Sequence, residues 1–266
     1  MEINRNNINE LVNKCHVSPD KDYGQNFLIE PSISEKIVSL LDVNKTDNVL
    51  EIGPGLGSLT HFLCGNCVLS VCDIDSRMIA FLKIFYKNDI NFILNDVRKI
   101  DVSSYDKIIA NLPYNITTEL VSFLLMNSTA KKMVLMCQSE TYLHFSETSG
   151  KEYGPISILI HLLGEVKKEI TVKKGSFYPS PKCNSLVFTY VSKGDVNKEF
   201  AIGTYKLTKS LFSNRRKTIY NNLKNHLRDE IKAKEVLSFL NIDVNKRPEE
   251  VSPIQYLEMY KYINKI

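Results

Sequence analysis

An α/β fold is predicted, with a largely parallel sheet covered by helices on both faces and a small all-helical domain after it. Two observations predict it. Up to about residue 190, short apolar runs that read as buried strands alternate with stretches whose apolar residues recur every three or four positions, the pattern of parallel strands joined by crossover helices. Beyond Ser192-Lys193-Gly194-Asp195, a linker by composition, only helical periodicity remains. Domains are therefore expected at 1–192 and 193–266.

Each element follows from its residues. Ile33, Ile37, Leu40 and Leu41 make a helical stripe behind Pro31-Ser32, and Asn48 to Ile52 is a short strand that ends at glycines. Helical spacing resumes after Gly57. Val68 to Asp73 is a second strand, Ile79, Leu82, Phe85 and Tyr86 mark a helix, and Asn91 to Leu94 is a third strand. Lys107 to Ala110 is the fourth, followed by a helix over Thr117 to Met126, a strand over Met133 to Cys137 and a helix from about Ile156 to Leu163. Glu165 to Val172 and Ser185 to Val191 alternate as antiparallel strands do, with Gly175-Ser176-Phe177-Tyr178-Pro179-Ser180-Pro181 between them. In the last domain Ile219, Leu223 and Leu227, then Val236, Leu237 and Leu240, mark helices.

At 266 residues and 43% hydrophobic, the chain can bury a full core and still carry a smaller unit. The formal charge of +4 is unevenly placed. Between Tyr205 and Pro248 eleven Lys and Arg face four acids, a net of +7 that leaves −3 for the rest. Such a segment suits a polyanion, because each phosphate neutralised releases condensed counterions; a solvated helical face is the plainer alternative. Six cysteines stand at Cys15, Cys64, Cys67, Cys72, Cys137 and Cys183. The first residues have no apolar signal-peptide core, and no run reaches the roughly 18 apolar residues of a membrane span. A cytoplasmic protein with reduced thiols and no membrane partner is expected. Cys64 and Cys67 have zinc-knuckle spacing without a second pair at a matching interval, so no metal is expected. His16, His61, His144, His161 and His226 form no constellation, and nothing in the chain calls for more than a monomer.

Val49-Leu50-Glu51-Ile52-Gly53-Pro54-Gly55-Leu56-Gly57 places three glycines where a strand turns into a helix. Glycine tolerates positive φ and lets a ligand approach the backbone, and a helix starting there offers unpaired N–H groups. Dinucleotide-binding enzymes carry a similar turn, so the next strands must discriminate. Asp73 at the tip of the second strand can accept from both ribose hydroxyls, unless it serves as a helix cap, and Asp96 after the third can accept from an adenine amino group. Pro54 removes one N–H from the turn and Glu51 adds a carboxylate that repels phosphate and favours a cation such as a sulfonium. S-Adenosylmethionine therefore fits this turn better than a dinucleotide does.

The chain resembles the ribosomal RNA adenine N6,N6-dimethyltransferases of the KsgA type, with the antibiotic-resistance Erm methyltransferases as relatives. The resemblance is carried by Gly24-Gln25-Asn26-Phe27-Leu28, by Glu51 to Gly57, and by Asn111-Leu112-Pro113-Tyr114-Asn115-Ile116. It continues through Tyr153-Gly154, Ser176-Phe177-Tyr178-Pro179-Ser180-Pro181-Lys182, and Arg215-Arg216-Lys217-Thr218 with Asn221-Asn222-Leu223. It implies a Rossmann-like class I S-adenosylmethionine-dependent methyltransferase fold, with a mixed, mostly parallel seven-stranded sheet and a small C-terminal all-α domain. It also implies that Asn26 and Leu28 lie near the donor, joining Glu51, Gly53, Gly55, Asp73, Asp96 and Asn111.

Chemistry accounts for Asn111 to Tyr114. Adenine's exocyclic nitrogen is a poor nucleophile because its lone pair is delocalised into the ring. The Asn111 side-chain oxygen and the Leu112 carbonyl can accept from that amine, localise its charge and stabilise the developing cation. Pro113 biases Leu112 toward an extended conformation and aims its carbonyl outward. Tyr114 offers a π-face to a base taken out of its stack, a contact worth about 1–3 kcal/mol, and the resemblance implies Phe177 as the opposite face. No strong base is needed, because the methylated ammonium loses its proton to water.

The implied substrate is a pair of adjacent adenines in a hairpin loop near the 3′ end of small-subunit (16S) ribosomal RNA, on an assembling small subunit. Arg215, Arg216 and Lys217 would hold the RNA backbone. The chain departs from the family where Asp73 replaces a frequent Glu, where Ser139 precedes Glu140 in place of a common Lys, and where Pro155 follows Tyr153-Gly154. An Erm-like enzyme of large-subunit RNA and an assembly factor whose binding outweighs catalysis remain as alternatives.

Overall fold

The computed structural model describes residues 2–14, 19, 25–87, 89–194 and 196–265; Cys15, His16, Gly24 and Asp195, named above, lie outside the described residues. In chain order the elements are α1 (Ile8–Lys14), β1 (Phe27–Leu28), α2 (Pro31–Leu41), β2 (Asn48–Ile52), α3 (Thr60–Leu63), β3 (Val68–Asp73), α4 (Ser76–Tyr86) and β4 (Asn91–Leu94). They continue with β5 (Lys107–Asn111), α5 (Thr117–Asn127), β6 (Lys132–Gln138), α6 (Ser139–Ser146), α7 (Pro155–Leu163), β7 (Gly164–Val172), β8 (Phe177–Tyr178) and β9 (Ser185–Ser192). Four helices end the chain: α8 (Lys198–Leu211), α9 (Ile219–Leu227), α10 (Glu230–Phe239) and α11 (Pro253–Asn264).

Seven strands form one sheet in the order β4-β3-β2-β5-β6-β9-β7. The pairs from β4 to β6 are parallel, and β9 runs antiparallel to β6. The central strands are apolar without alternation, as in Ile108, Ile109 and Ala110 or Met133 to Cys137, because both faces of a parallel sheet are covered. On α4, Met78, Ile79, Phe81, Leu82 and Tyr86 are buried while the Asp75 side chain accepts from the Arg77 N–H and caps the first turn, a contact worth about 1 kcal/mol.

Register positions the site. Ile52 lies beside Cys72 on one side and Ala110 on the other, and Asp73 lies beside Leu94. Gly53, Asp73, Asn95 and Asn111 therefore sit on one edge of the sheet, where the chain steps from β2 outward in both directions, the place at which open α/β sheets take ligands.

The chain forms two compact units, Met1–Thr141 with Val166–Ser192, and Tyr142–Glu165 with Lys193–Ile266. This replaces the single division expected after residue 192. The reason is α7, whose residues are apolar nearly all round and which packs on α8 and α11. Within that helical unit the Tyr153 hydroxyl donates to the Val251 carbonyl, the Tyr256 hydroxyl to that of Pro248, and the Phe212 ring lies between the two tyrosines. Pro155 takes the first turn of α7, where a missing N–H costs nothing. Among the described residues no helix is long and apolar enough to cross a membrane.

Candidate active site

One cavity opens at this sheet edge, and every wall belongs to the first unit. Its lining includes Asn26, Leu28, Glu51, Gly53, Gly55, Asp73, Asp96, Asn111, Leu112, Pro113 and Tyr114, which brings together all but one of the catalytic and donor residues expected from sequence. Gly53, Gly55 and Gly57 have φ of 64°, 54° and 90°, the left-handed region where a side chain is disfavoured. At Gly57 an added Cβ would stand 2.6 Å from Leu82 Cδ2, so this residue is fixed by helix packing as well as by its backbone.

The carboxylates differ in state. Glu51 is 1% exposed and accepts from the Thr60 hydroxyl at 2.7 Å, with the Thr60 backbone N–H also bonded to it. Burial, opposed by the Thr60 bonds and aided by the nearby Asp73, pushes its carboxyl up to about 8. Asp73 accepts from the Asp75 N–H at 2.9 Å and is lifted by burial to about 6. The cap of α4 is Asp75 rather than Asp73, and Asp75 also takes bonds from Arg77 and Gln25. Asp96 caps a short 3₁₀ turn and is gripped by the Arg98 guanidinium, which holds its carboxyl below the usual range. Arg98 also pairs with Glu119 on α5.

At the tip of β5 the Asn111 Nδ2 donates to the Asn26 carbonyl at 3.1 Å. That bond commits the nitrogen end of the amide and leaves Oδ1 as the end turned away from Asn26. The Leu112 N–H donates to Met136, extending the β5–β6 ladder by one bond, and the Pro113 carbonyl is taken by Thr117. The Tyr114 hydroxyl lies 2.6 Å from Ser185 Oγ. Neither Ser185 nor Thr60 stood out in the sequence as a site residue.

Phe177 is the exception. It does not line the cavity: it is 3% exposed within the core, in register with Leu28 across the β1–β8 pair. Phe177 thus stands apart from the cavity lining, packed in the core beside the strand that carries Leu28. Phe27 in turn closes over the turn, with its ring carbons 3.0 and 3.1 Å from where a Gly55 Cβ would stand.

In the helical unit Arg215, Arg216 and Lys217 lie on the turn between α8 and α9. Arg215 donates to the Gly150 and Tyr153 carbonyls and stacks on Phe212, so its head is engaged within the fold, while Arg216 and Lys217 are exposed. Cys64 and Cys67 are partly buried at the edge of the core, and burial pushes Cys67 up to about 11. Among the described residues no group of three or more His, Cys, Asp or Glu could hold a metal.

Comparison with known proteins adds kinship to geometry. The profile of the family described as "Ribosomal RNA adenine dimethylase" matches residues 17–265. A "Ribosomal RNA small subunit methyltransferase A" of Malacoplasma penetrans is 34% identical over 265 residues, covering 96% of this chain and 95% of its own. The protein of the same name from Mycoplasma capricolum is 36% identical, covering 91% of this chain and 97% of its own. Among solved structures, a dimethyladenosine transferase from Plasmodium falciparum has a TM-score of 0.75 at 26% identity, covering 90% of this chain and 98% of that one. The 23S rRNA methyltransferase ErmE, at 0.67 and 19% identity over 90% of this chain and all of its own, shares the fold.

Proposed function

The chain belongs to the ribosomal RNA adenine dimethylase family, and from that premise we propose that its cavity dimethylates N6 of two adjacent adenosines in a hairpin loop near the 3′ end of small-subunit (16S) ribosomal RNA. It is an S-adenosylmethionine-dependent rRNA adenine dimethyltransferase of class I fold. When bound, S-adenosylmethionine supplies an electrophilic methyl group. The residues present fit it: a buried carboxyl at Glu51 gains from a cation, Asp73 presents a carboxylate toward a ribose, and the glycine turn admits a ligand to the backbone.

The observation that carries the mechanism is the committed amide of Asn111. With Nδ2 on the Asn26 carbonyl, Oδ1 is the acceptor offered to an incoming amine, beside the Leu112 carbonyl. Two acceptors hold both amine hydrogens and turn the nitrogen lone pair toward the donor side. They favour the cationic transition state over the neutral base. Tyr114 supports the everted base, and the proton leaves to water after transfer. Phe177 acts by holding Leu28 at the donor rim. Arg216 and Lys217 neutralise RNA phosphates, with Arg215 shaping the turn that carries them. The protein works as a monomer in the cytoplasm, on an assembling small subunit.

Labelled donor with unmethylated small subunits, or with large-subunit RNA, tests this. Label recovered as dimethyladenosine from the small subunit is the expected result. Label confined to large-subunit RNA would select an Erm-like substrate, and tight subunit binding without label would select an assembly factor.

A further inference from the structure

We propose that Ser185 is a positioning residue for the acceptor base: by holding the Tyr114 hydroxyl it fixes the place of the ring on which the adenine stacks. The inference rests on the reading of Tyr114 as the stacking platform and adds what keeps that platform in one place. Tyr114 leaves the sheet after Pro113, and a tyrosine ring has two soft torsions of its own. Its far end is tied by the 2.6 Å bond to Ser185 Oγ. Ser185 is fully buried and opens β9, where it lies opposite Gln138 of β6.

The same strand β6 supplies the Met136 carbonyl that takes the Leu112 N–H. The Leu112 N–H and the far end of the ring are therefore both referenced to β6, one directly at Met136 and the other through Ser185 of β9 opposite Gln138. A tether of this kind matters little for how much ring the base covers and more for whether its amine meets the acceptors in line. The second transfer is the more demanding, because monomethyl-adenine must return to the same place with an added methyl group. A loosened ring should slow that step first.

The test uses Ser185→Ala, Tyr114→Phe, their combination and Tyr114→Ala, with kcat, donor and RNA affinities and the ratio of mono- to dimethyladenosine as readouts. Loss of the tether should lower kcat about three- to tenfold in either of the first two variants, the scale of one hydrogen bond. Donor and RNA affinities should stay within about twofold, and monomethyladenosine should accumulate. The combined variant should be no worse than the poorer single one, because both remove the same bond. Additive losses in the combination, or a fall in donor affinity matching the fall in kcat, would refute the tether. Tyr114→Phe carries the test alone should Ser185→Ala not fold. Wild-type rates in Tyr114→Phe and Ser185→Ala beside a disabled Tyr114→Ala would refute the tether and spare the stack, whereas a wild-type rate in Tyr114→Ala would refute the stack and the tether with it.

Discussion

Glu51→Gln should make the donor-free protein more stable while impairing its donor site. Folding keeps a proton on Glu51, whose carboxyl is pushed up to about 8 from an ordinary value of 4.5, whereas the unfolded chain releases that proton above about pH 4.5. Stability from this group is therefore full below about 4.5, falls as the pH rises, and stops falling once the folded protein also ionises near 8. Asp73, lifted to about 6, adds a smaller decline of the same sign that ends earlier. At pH 7 the Glu51 proton is held about 2.5 pH units above its unfolded value, which at about 1.4 kcal/mol each costs about 3 kcal/mol. Glutamine keeps an acceptor for the Thr60 hydroxyl and carries no titratable proton, so the variant should melt roughly 5 °C or more above wild type at pH 7 and match it near pH 4.5. The donor reverses the preference, since a cation favours the ionised carboxylate. Calorimetry at pH 7 in buffers of different ionisation enthalpy should show up to one proton released when the donor binds the wild type and none from Glu51→Gln. Parallel melting profiles from pH 5 to 8.5, or equal proton release, would refute the reasoning.

Asn111→Ala should cut kcat by about 10²–10³, the scale of one transition-state hydrogen bond, while donor affinity measured by calorimetry changes little. Gly57→Ala should destabilise by about 1–3 kcal/mol in chemical denaturation, because φ of 90° and a Cβ 2.6 Å from Leu82 both oppose it. Arg216→Ala with Lys217→Ala should flatten the salt dependence of RNA affinity by about one phosphate contact each. Arg215→Ala should instead lower the melting temperature, because its bonds to Gly150 and Tyr153 are lost.

What sequence made legible was what burial writes locally. Strands β2, β3, β4 and β5 are mainly apolar runs whose tips carry Gly53, Asp73, Asn95 and Asn111, and once the order is parallel those tips must converge. The two-residue strands β1 and β8 have no period to read, and α6, with Phe145 as its one buried residue, shows no stripe. The grouping of residues 142–165 with the terminal helices depends on what α7 packs against, which its uniformly apolar run does not specify. In the site, residue types at strand ends pointed to the chemistry, but their bonding partners lie far along the chain. Thr60 for Glu51, Asn26 for Asn111 and Ser185 for Tyr114 are separated from them by 9, 85 and 71 residues. Phe177 and Arg215 were read by type alone, and each is turned inward by neighbours that sequence spacing does not reveal.

A structure of the protein with a non-transferable donor analogue and an adenine-containing loop RNA measures the central geometry. The adenine amine should lie about 2.7–3.2 Å from both Asn111 Oδ1 and the Leu112 carbonyl, with Asn111 Nδ2 still on the Asn26 carbonyl. An amine held by other groups, or an Asn111 amide turned to present its nitrogen, would contradict the account.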